Sequence, residues 1–215
     1  MSTTSSICIV DYGVGNLFSA EKAFKQFSPN IKISEDVVDI ANADALVLPG
    51  VGAFEAGMQG LRVRGLIEAV QSFAESGKPI VGICLGAQLL FSKGYEFGEH
   101  VGLGLIEGEV VPFPKLSDGT KIPHIGWNGL IEPSFNRWEK SILAGIPKEK
   151  SDVYFVHSFI FKPQDESNCL AETEYGGKNF CSVVQKNNIY GCQFHPEKSG
   201  EIGLKIIKNF VDLIK

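Results

Sequence analysis

Gly82-Ile83-Cys84-Leu85-Gly86 stands where an apolar run, Ile80 to Ile83, gives way to a helical stretch from Ala87 to Phe91. A short apolar run bounded by turn residues reads as a buried strand. Glycines two positions either side of Cys84 remove the Cβ atoms that would crowd a sharp strand-to-helix turn. The G-x-S-x-G elbow of hydrolases exposes its nucleophile on such a turn. Here the nucleophile would be a thiol, with a helix N-terminus just beyond it to favour the thiolate. Taken alone, a cysteine at a strand end is more often a small, inert core residue.

The same alternation runs upstream. Ile7 to Asp11 reads as a buried strand ending at Tyr-Gly-Val-Gly, and Asn16 can cap a helix carrying Leu17, Ala20, Phe24 and Phe27 at helical spacing. Ala45 to Leu48 is a second apolar run, closed by Pro49-Gly50-Val51-Gly52. Leu61 to Ala74 has helical periodicity through Leu66, Ala69, Val70 and Phe73, and Gly77 and Pro79 end it. Strand alternating with helix over ninety residues argues for a mostly parallel sheet with helices on both faces. After Gly94 the segments shorten and become β-rich. Val153 to Val156, Phe180 to Gln185 and Ile189 to Phe194 read as strands, with a hairpin turn at Lys186-Asn187-Asn188. Gly200 to Ile214 is a closing amphipathic helix. The expected architecture is one α/β domain over residues 1–215, with an antiparallel β portion.

Composition narrows the function. The 215 residues are 44% hydrophobic and 21% charged, ordinary for a globular chain, and the net charge is −5. That balance argues against a phosphate-backbone binder, so no nucleic acid is expected. Neither the five cysteines nor the four histidines show a metal-ligand spacing, so no metal or cofactor is expected. No apolar run reaches the roughly 20 residues that span a bilayer. Met1 to Ser6 has neither the charge nor the apolar run of a secretory signal, so a cytoplasmic protein off the membrane is expected.

Two further motifs carry possible chemistry. In Gln193-Phe194-His195-Pro196-Glu197, His195 could act as base for a cysteine nucleophile and Glu197 could fix its tautomer. A surface His-Pro turn is the plainer alternative. The glycines of Pro49-Gly50-Val51-Gly52 would let backbone N–H groups turn toward an oxyanion, although an ordinary turn is again the plainer reading. Asp11 to Asn16 is not a dinucleotide fingerprint, because Phe18 stands where the third glycine belongs. Strand ends of a parallel sheet lie side by side, so three motifs placed there can converge.

Together, Pro49 to Gly52, the run Gly82 to Gln88, and Phe194-His195-Pro196-Glu197 resemble the class I, triad-type glutamine amidotransferases across essentially the whole chain. Within that family, Asp11 to Asn16, Pro123 to Asn128, Tyr154 to Ser158 and His195 to Ser199 look like the HisH-type glutaminase subunits of imidazole glycerol phosphate synthase. The resemblance implies a flavodoxin-like sheet and hydrolysis of L-glutamine to glutamate and ammonia. Cys84 would attack the carboxamide, with His195 and Glu197 completing the triad. Backbone near Gly50, Gly52 and Leu85 would hold the oxyanion. Gln88, Ser158 and Phe159 would hold substrate. Asn16, Trp127, Asn128 and Lys198 would face a HisF-type cyclase, which in the family turns PRFAR and ammonia into imidazole glycerol phosphate and AICAR in histidine biosynthesis. Ile125 replaces an expected Met, and Phe159-Ile160 an expected Tyr-Arg. An ammonia donor for bacterial surface-glycan synthesis, a free-standing γ-glutamyl hydrolase and a silent regulator are the other readings. His157 and His124 are expected to be structural, and Cys8, Cys169, Cys181 and Cys192 to be core.

Overall fold

The computed structural model describes residues 5–133 and 137–214; the expectation for the leader therefore lies largely outside the described residues. In chain order the elements are β1 (Ile7–Val10), α1 (Leu17–Phe24), β2 (Ile31–Ser34), α2 (Val37–Asn42), β3 (Ala45–Gly50), α3 (Phe54–Val63), α4 (Ile67–Glu75), β4 (Ile80–Cys84) and α5 (Leu85–Leu89). There follow β5 (Phe91–Gly94), β6 (His100–Val101), β7 (Ile106–Pro112), β8 (His124–Gly129), β9 (Asp152–His157), β10 (Phe159–Pro163), β11 (Cys169–Tyr175), β12 (Lys178–Lys186), β13 (Ile189–Cys192) and α6 (Gly200–Asp212).

The main sheet runs β2-β1-β3-β4-β13-β12-β10-β7-β5-β6, with β11 added on β12. From β2 through β13 every pairing is parallel. Beyond β13 the pairings are antiparallel except β5 with β7. β8 and β9 form a separate two-stranded antiparallel sheet. The period-2 alternation of side chains divides the interior in two. Ile7, Ile9, Val47 and Ile83 point to α1 and α6, whose Phe24 and Phe210 rings meet edge to face at 6.1 Å. Cys8, Val10, Leu46 and Leu48 point to the other side, against Ile40, Met58, Leu61, Val70 and Phe73 of α2 to α4. Each such fully buried large side chain contributes roughly 1.5–3 kcal/mol.

Three expectations are revised. The single helix read through Leu61 to Ala74 is two helices. Gly65 takes φ +67, its N–H bonds Arg62 O and the Leu66 N–H bonds Leu61 O, so α3 ends in a Schellman turn. Leu61 and Leu66 are both fully buried across that turn, which is why apolar spacing alone ran through it. The helix after Cys84 spans Leu85–Leu89, and Phe91 opens β5 instead of closing the helix. Finally, β2 and α2 are real elements between β1 and β3, too short and too half-exposed to have stood out in the sequence. The hairpin is as expected: Lys186 pairs with Ile189 around Asn187 at φ +53 and Asn188.

Candidate functional site

β4 and β3 run side by side, and Gly50 is in register with Cys84 at their ends. Cys84 is the pivot between β4 and α5 and holds φ 52, ψ −110, a conformation disfavoured for any residue with a Cβ. Its neighbours make the corner possible. A Cβ on Gly86 would stand 1.7 Å from Leu48 O, and one on Gly82 would stand 2.6 Å from the Ala87 backbone. The elbow therefore rests on close backbone approach as much as on turn flexibility. Gly50 and Leu85 flank Cys84 directly, while Gly52, at φ +107, lies in the exposed turn before α3.

His195 reaches the same point from the end of β13. Its backbone N–H donates to Tyr154 O (3.0 Å), and Ser199 Oγ donates to His195 O (2.6 Å) while accepting from Tyr154 N (2.9 Å). β9 thus clamps the histidine. The residue as a whole is 2% exposed. Nδ1 lies 2.8 Å from Glu197 Oε1, and Nε2 is buried with no well-formed hydrogen bond. Burial pulls the imidazole pKa down, but Cys84 and then Glu197 outweigh it and raise it to about 9. A buried ring with one nitrogen fixed on a carboxylate and the other free beside a sulfur can move a proton between nucleophile and leaving group.

The wall of the site comes from β9 and from Gln193. Cys84 Sγ lies 3.9 Å from Val156 O and 3.9 Å from Gln193 Nε2. Gln88, expected to hold substrate, donates from Nε2 to Gln193 Oε1 at 3.1 Å. Gln193 opens the run Gln193 to Glu197, but motif reading gave it no role; its place in the wall shows only in the fold. Ser158 and Phe159 follow Val156-His157 along the chain, and Val156 O is the atom of this run that meets the Cys84 sulfur.

Two other histidines lie behind this wall. His157 Nδ1 is 2.8 Å from Phe159 O, and its Nε2 is 3.0 Å from His124 Nδ1. Burial lowers the pKa of both, that of His157 to about 3, so the His157 ring is neutral at pH 7. Both rings are engaged in hydrogen bonds within the fold. Burial also raises the thiols of Cys8 (to about 11), Cys181 and Cys192, which keeps them protonated at neutral pH. Cys169 is half-buried on β11, more open than expected.

The residues expected to face a partner divide into two sets. Asn16 is exposed and caps α1, its Oδ1 accepting from Ser19 N. Lys198 is exposed in the turn after Glu197, and α1 packs against that turn. Trp127 is 55% exposed beside Ile125 at 59%, and its ring sits 5.8 Å from that of Tyr154. Phe18, at the start of α1, is 78% exposed. Asn128 instead lies on the inner side of β8, its amide against His124 and the Glu174 carbonyl. Among the described residues no group of three or more His, Cys, Asp or Glu side chains could hold a metal ion, and no helix is long and apolar enough to cross a membrane. A hollow of about 760 Å³ lined by Phe161, Leu170 and Phe180 contains none of the residues around Cys84.

Residues 9–213 match the glutamine amidotransferase class-I family. The chain is 52% identical over 213 residues to the imidazole glycerol phosphate synthase subunit HisH 1 of Legionella pneumophila (strain Lens), covering 97% of this chain and all of that protein. It is 48% identical to subunit HisH of Lactococcus lactis, covering 97% and 98%, and 48% identical to that of Aquifex aeolicus, covering 94% of each. Among solved structures, PurLQS from Thermotoga maritima superposes with a TM-score of 0.74 at 21% identity, covering 99% of this chain and 100% of that one. A glutamine amidotransferase from Thermotoga maritima gives 0.62 at 14% identity, covering 98% and 84%. With the elbow at Cys84, the His195–Glu197 pair and relatives of about half identity along its length, the chain belongs to the class-I glutamine amidotransferase family, in the branch of the HisH subunits.

Proposed function

We propose that this chain, as one amidotransferase unit over residues 1–215, is the glutaminase subunit of an imidazole glycerol phosphate synthase. The observation that carries the chemistry is the asymmetry of His195: Nδ1 is fixed on Glu197 and Nε2 is open beside Cys84. The Cys84 thiolate attacks the side-chain carbonyl carbon of L-glutamine. The carbonyl oxygen takes the negative charge, held by backbone N–H groups near Leu85 and at the Gly50–Gly52 turn. The His195 imidazolium gives its Nε2 proton to the nitrogen, the C–N bond breaks, and ammonia leaves a γ-glutamyl thioester on Cys84. Nε2, now bare, takes a proton from water as the hydroxide adds to the thioester. Collapse of that intermediate releases glutamate and restores the thiolate and imidazolium. Ser158 and Phe159 hold the α-carboxylate end, and Gln88 with Gln193 closes the wall behind the carboxamide.

The ammonia goes to a HisF-type cyclase docked as the second subunit of a heterodimer. Trp127, Ile125, Phe18, Asn16 and Lys198 are all exposed, and the large apolar side chains among them suit such a partner. An apolar group of this kind marks interaction surfaces in general. Histidine biosynthesis in the cytoplasm is the setting, with no cofactor in the glutaminase half.

The test is glutamate release from glutamine by the purified chain, alone and with a HisF-type cyclase plus PRFAR. Large stimulation by the cyclase is expected. Strong activity without it, unaffected by its addition, would instead describe a free-standing γ-glutamyl hydrolase. No activity in either case would point to a different synthase, such as a surface-glycan amidotransferase.

A further inference from the structure

The His124–His157 pair carries a proton-counting problem whose solution fixes the direction of every hydrogen bond in it. His157 Nδ1 faces Phe159 O at 2.8 Å. A carbonyl only accepts, so Nδ1 carries the proton and Nε2 of a neutral His157 is bare. That bare nitrogen lies 3.0 Å from His124 Nδ1, which must therefore be the donor. A neutral His124 then has a bare Nε2, and this lies 2.7 Å from the side-chain amide of Asn128. Three contacts need three protons, and two neutral imidazoles bring two.

A cationic pair is one way to find the third. Burial opposes it: His124 is 0% and His157 6% exposed. The charged and titratable neighbours oppose it too. His195 lies beyond His157, and each ring would repel a charge on the other. Tyr175, stacked 3.9 Å over His124, already donates its hydroxyl to Lys121 O (2.7 Å). Among the described residues no carboxylate is hydrogen-bonded to either ring. The third proton therefore comes from Asn128. With the amide oxygen toward His124, the 2.7 Å contact would set an acceptor against a bare nitrogen, and the amide nitrogen would reach Glu174 O only at 3.3 Å. Reversing the amide turns the short contact into N–H···N; it gives up the long one and leaves the amide oxygen facing the Glu174 carbonyl at 3.3 Å, a weaker mismatch than acceptor against bare nitrogen at 2.7 Å. Oxygen and nitrogen of an amide are assigned from such networks, not from shape.

We propose that Asn128, His124 and His157 form a one-way chain of hydrogen bonds, every proton directed toward the Phe159 carbonyl, and that Asn128 and His124 are positioning residues for the glutamine-binding segment. This rests on the reading of Ser158-Phe159 as that segment. The ring of His124 is held between Tyr175 at 3.9 Å and Phe155 at 4.8 Å, so it cannot swing out of line. The chain pins the peptide carbonyl at Phe159, and the same run of backbone places Val156 O against Cys84 Sγ.

The direct test is ¹⁵N NMR of the histidine rings in the full chain at pH 7. Both His124 and His157 are expected as neutral rings protonated at Nδ1, the less common tautomer. An Nε2–H tautomer on either ring, or a cationic ring in the wild type, overturns the chain. Asn128→Asp places an acceptor-only group at His124 Nε2, so this variant should take up the third proton and show a cationic ring. Its KM for glutamine should then vary with pH, lowest where the pair is charged. Asn128→Ala removes the donor and should raise KM about tenfold, the worth of one lost hydrogen bond, with kcat nearly unchanged. An unchanged KM in Asn128→Ala with the expected tautomers in the wild type would overturn the positioning role. The ring protonation needs no turnover, so a failed glutaminase reading is distinguishable: the wild-type complex would release no glutamate whatever the tautomers are.

Discussion

His195 and Glu197 meet through one nitrogen and one oxygen: Nδ1 is 2.8 Å from Oε1, while Nε2 and Oε2 are both buried without partners. The pair is separated by a single proline, which restricts the backbone between them and lets a two-residue offset serve as a fixed bracket. Glu197→Gln keeps the shape and removes the charge that stabilises the imidazolium. The expected loss in kcat is roughly 10²- to 10⁴-fold, the range for general acid–base groups. KM for glutamine should change little, since Glu197 does not reach the substrate. Steady-state glutamate release by the complex measures both, and a wild-type kcat would remove Glu197 from the reaction.

The protonation of His195 gives a second expectation. Its pKa is raised from 6.5 to about 9, against burial, by Cys84 and Glu197. A raised folded-state value means the charged ring stabilises the fold fully below the unfolded value of 6.5, and this contribution is lost as pH rises through about 9. The acid that protonates departing ammonia is lost over the same window, so kcat/KM should fall as pH rises through 9. NMR titration of the ring should give a midpoint near 9. In Cys84→Ala the midpoint should drop, because burial is then opposed by Glu197 alone. A wild-type midpoint near 6.5 would contradict the arrangement.

Much of this site was legible in the sequence, for physical reasons that also mark what was not. Strand ends and glycine elbows are local, and Cys84, Gly50 and His195 all sit at such ends, so a parallel sheet had to bring them together. Glu197 is tied to His195 by two residues of chain. Gln193 and Tyr154 were not legible as site residues, because their roles come from contacts 109 and 41 positions away that no local pattern encodes: Gln193 with Cys84, and Tyr154 O with the His195 N–H. Asn128 illustrates the converse. Its motif suggested an outward residue, but strand alternation in β8 sends Ile125 and Trp127 outward and turns Asn128 in toward His124. The break between α3 and α4 was hidden because Leu61 and Leu66 are both core while only Gly65 records the turn.

The elbow predicts a stability effect separable from chemistry. Gly86→Ala puts a Cβ 1.7 Å from Leu48 O, a backbone atom of a central strand that cannot step aside. The loss should be about 3 kcal/mol or more, at or beyond the upper end for overpacked cores. Gly52→Ala meets no atom within 4 Å, and its cost is the strain of φ +107 alone, about 1–3 kcal/mol. Urea midpoints of the two variants should rank in that order. Equal midpoints would mean that β3 and α5 separate more easily than their packing implies.

Cys84→Ala separates the nucleophile from everything else the chain does. Alanine is small enough for the pivot and, like cysteine, carries a Cβ at φ 52, so the substitution adds no backbone strain. Sγ touches Val156 O and Gln193 only at 3.9 Å, so its removal leaves that wall in place while taking away its support of the charged His195 ring. The surface around Trp127 and Lys198 does not include Cys84, and docking on a cyclase should survive. The complex should therefore lose glutamine-dependent synthesis entirely and keep synthesis from added ammonium salt at the wild-type rate. Measuring both rates on one preparation, with complex formation checked by gel filtration, distinguishes the cases. Loss of both activities with an intact complex would mean that Cys84 shapes the partner's site, and retention of both would mean that another group attacks the glutamine.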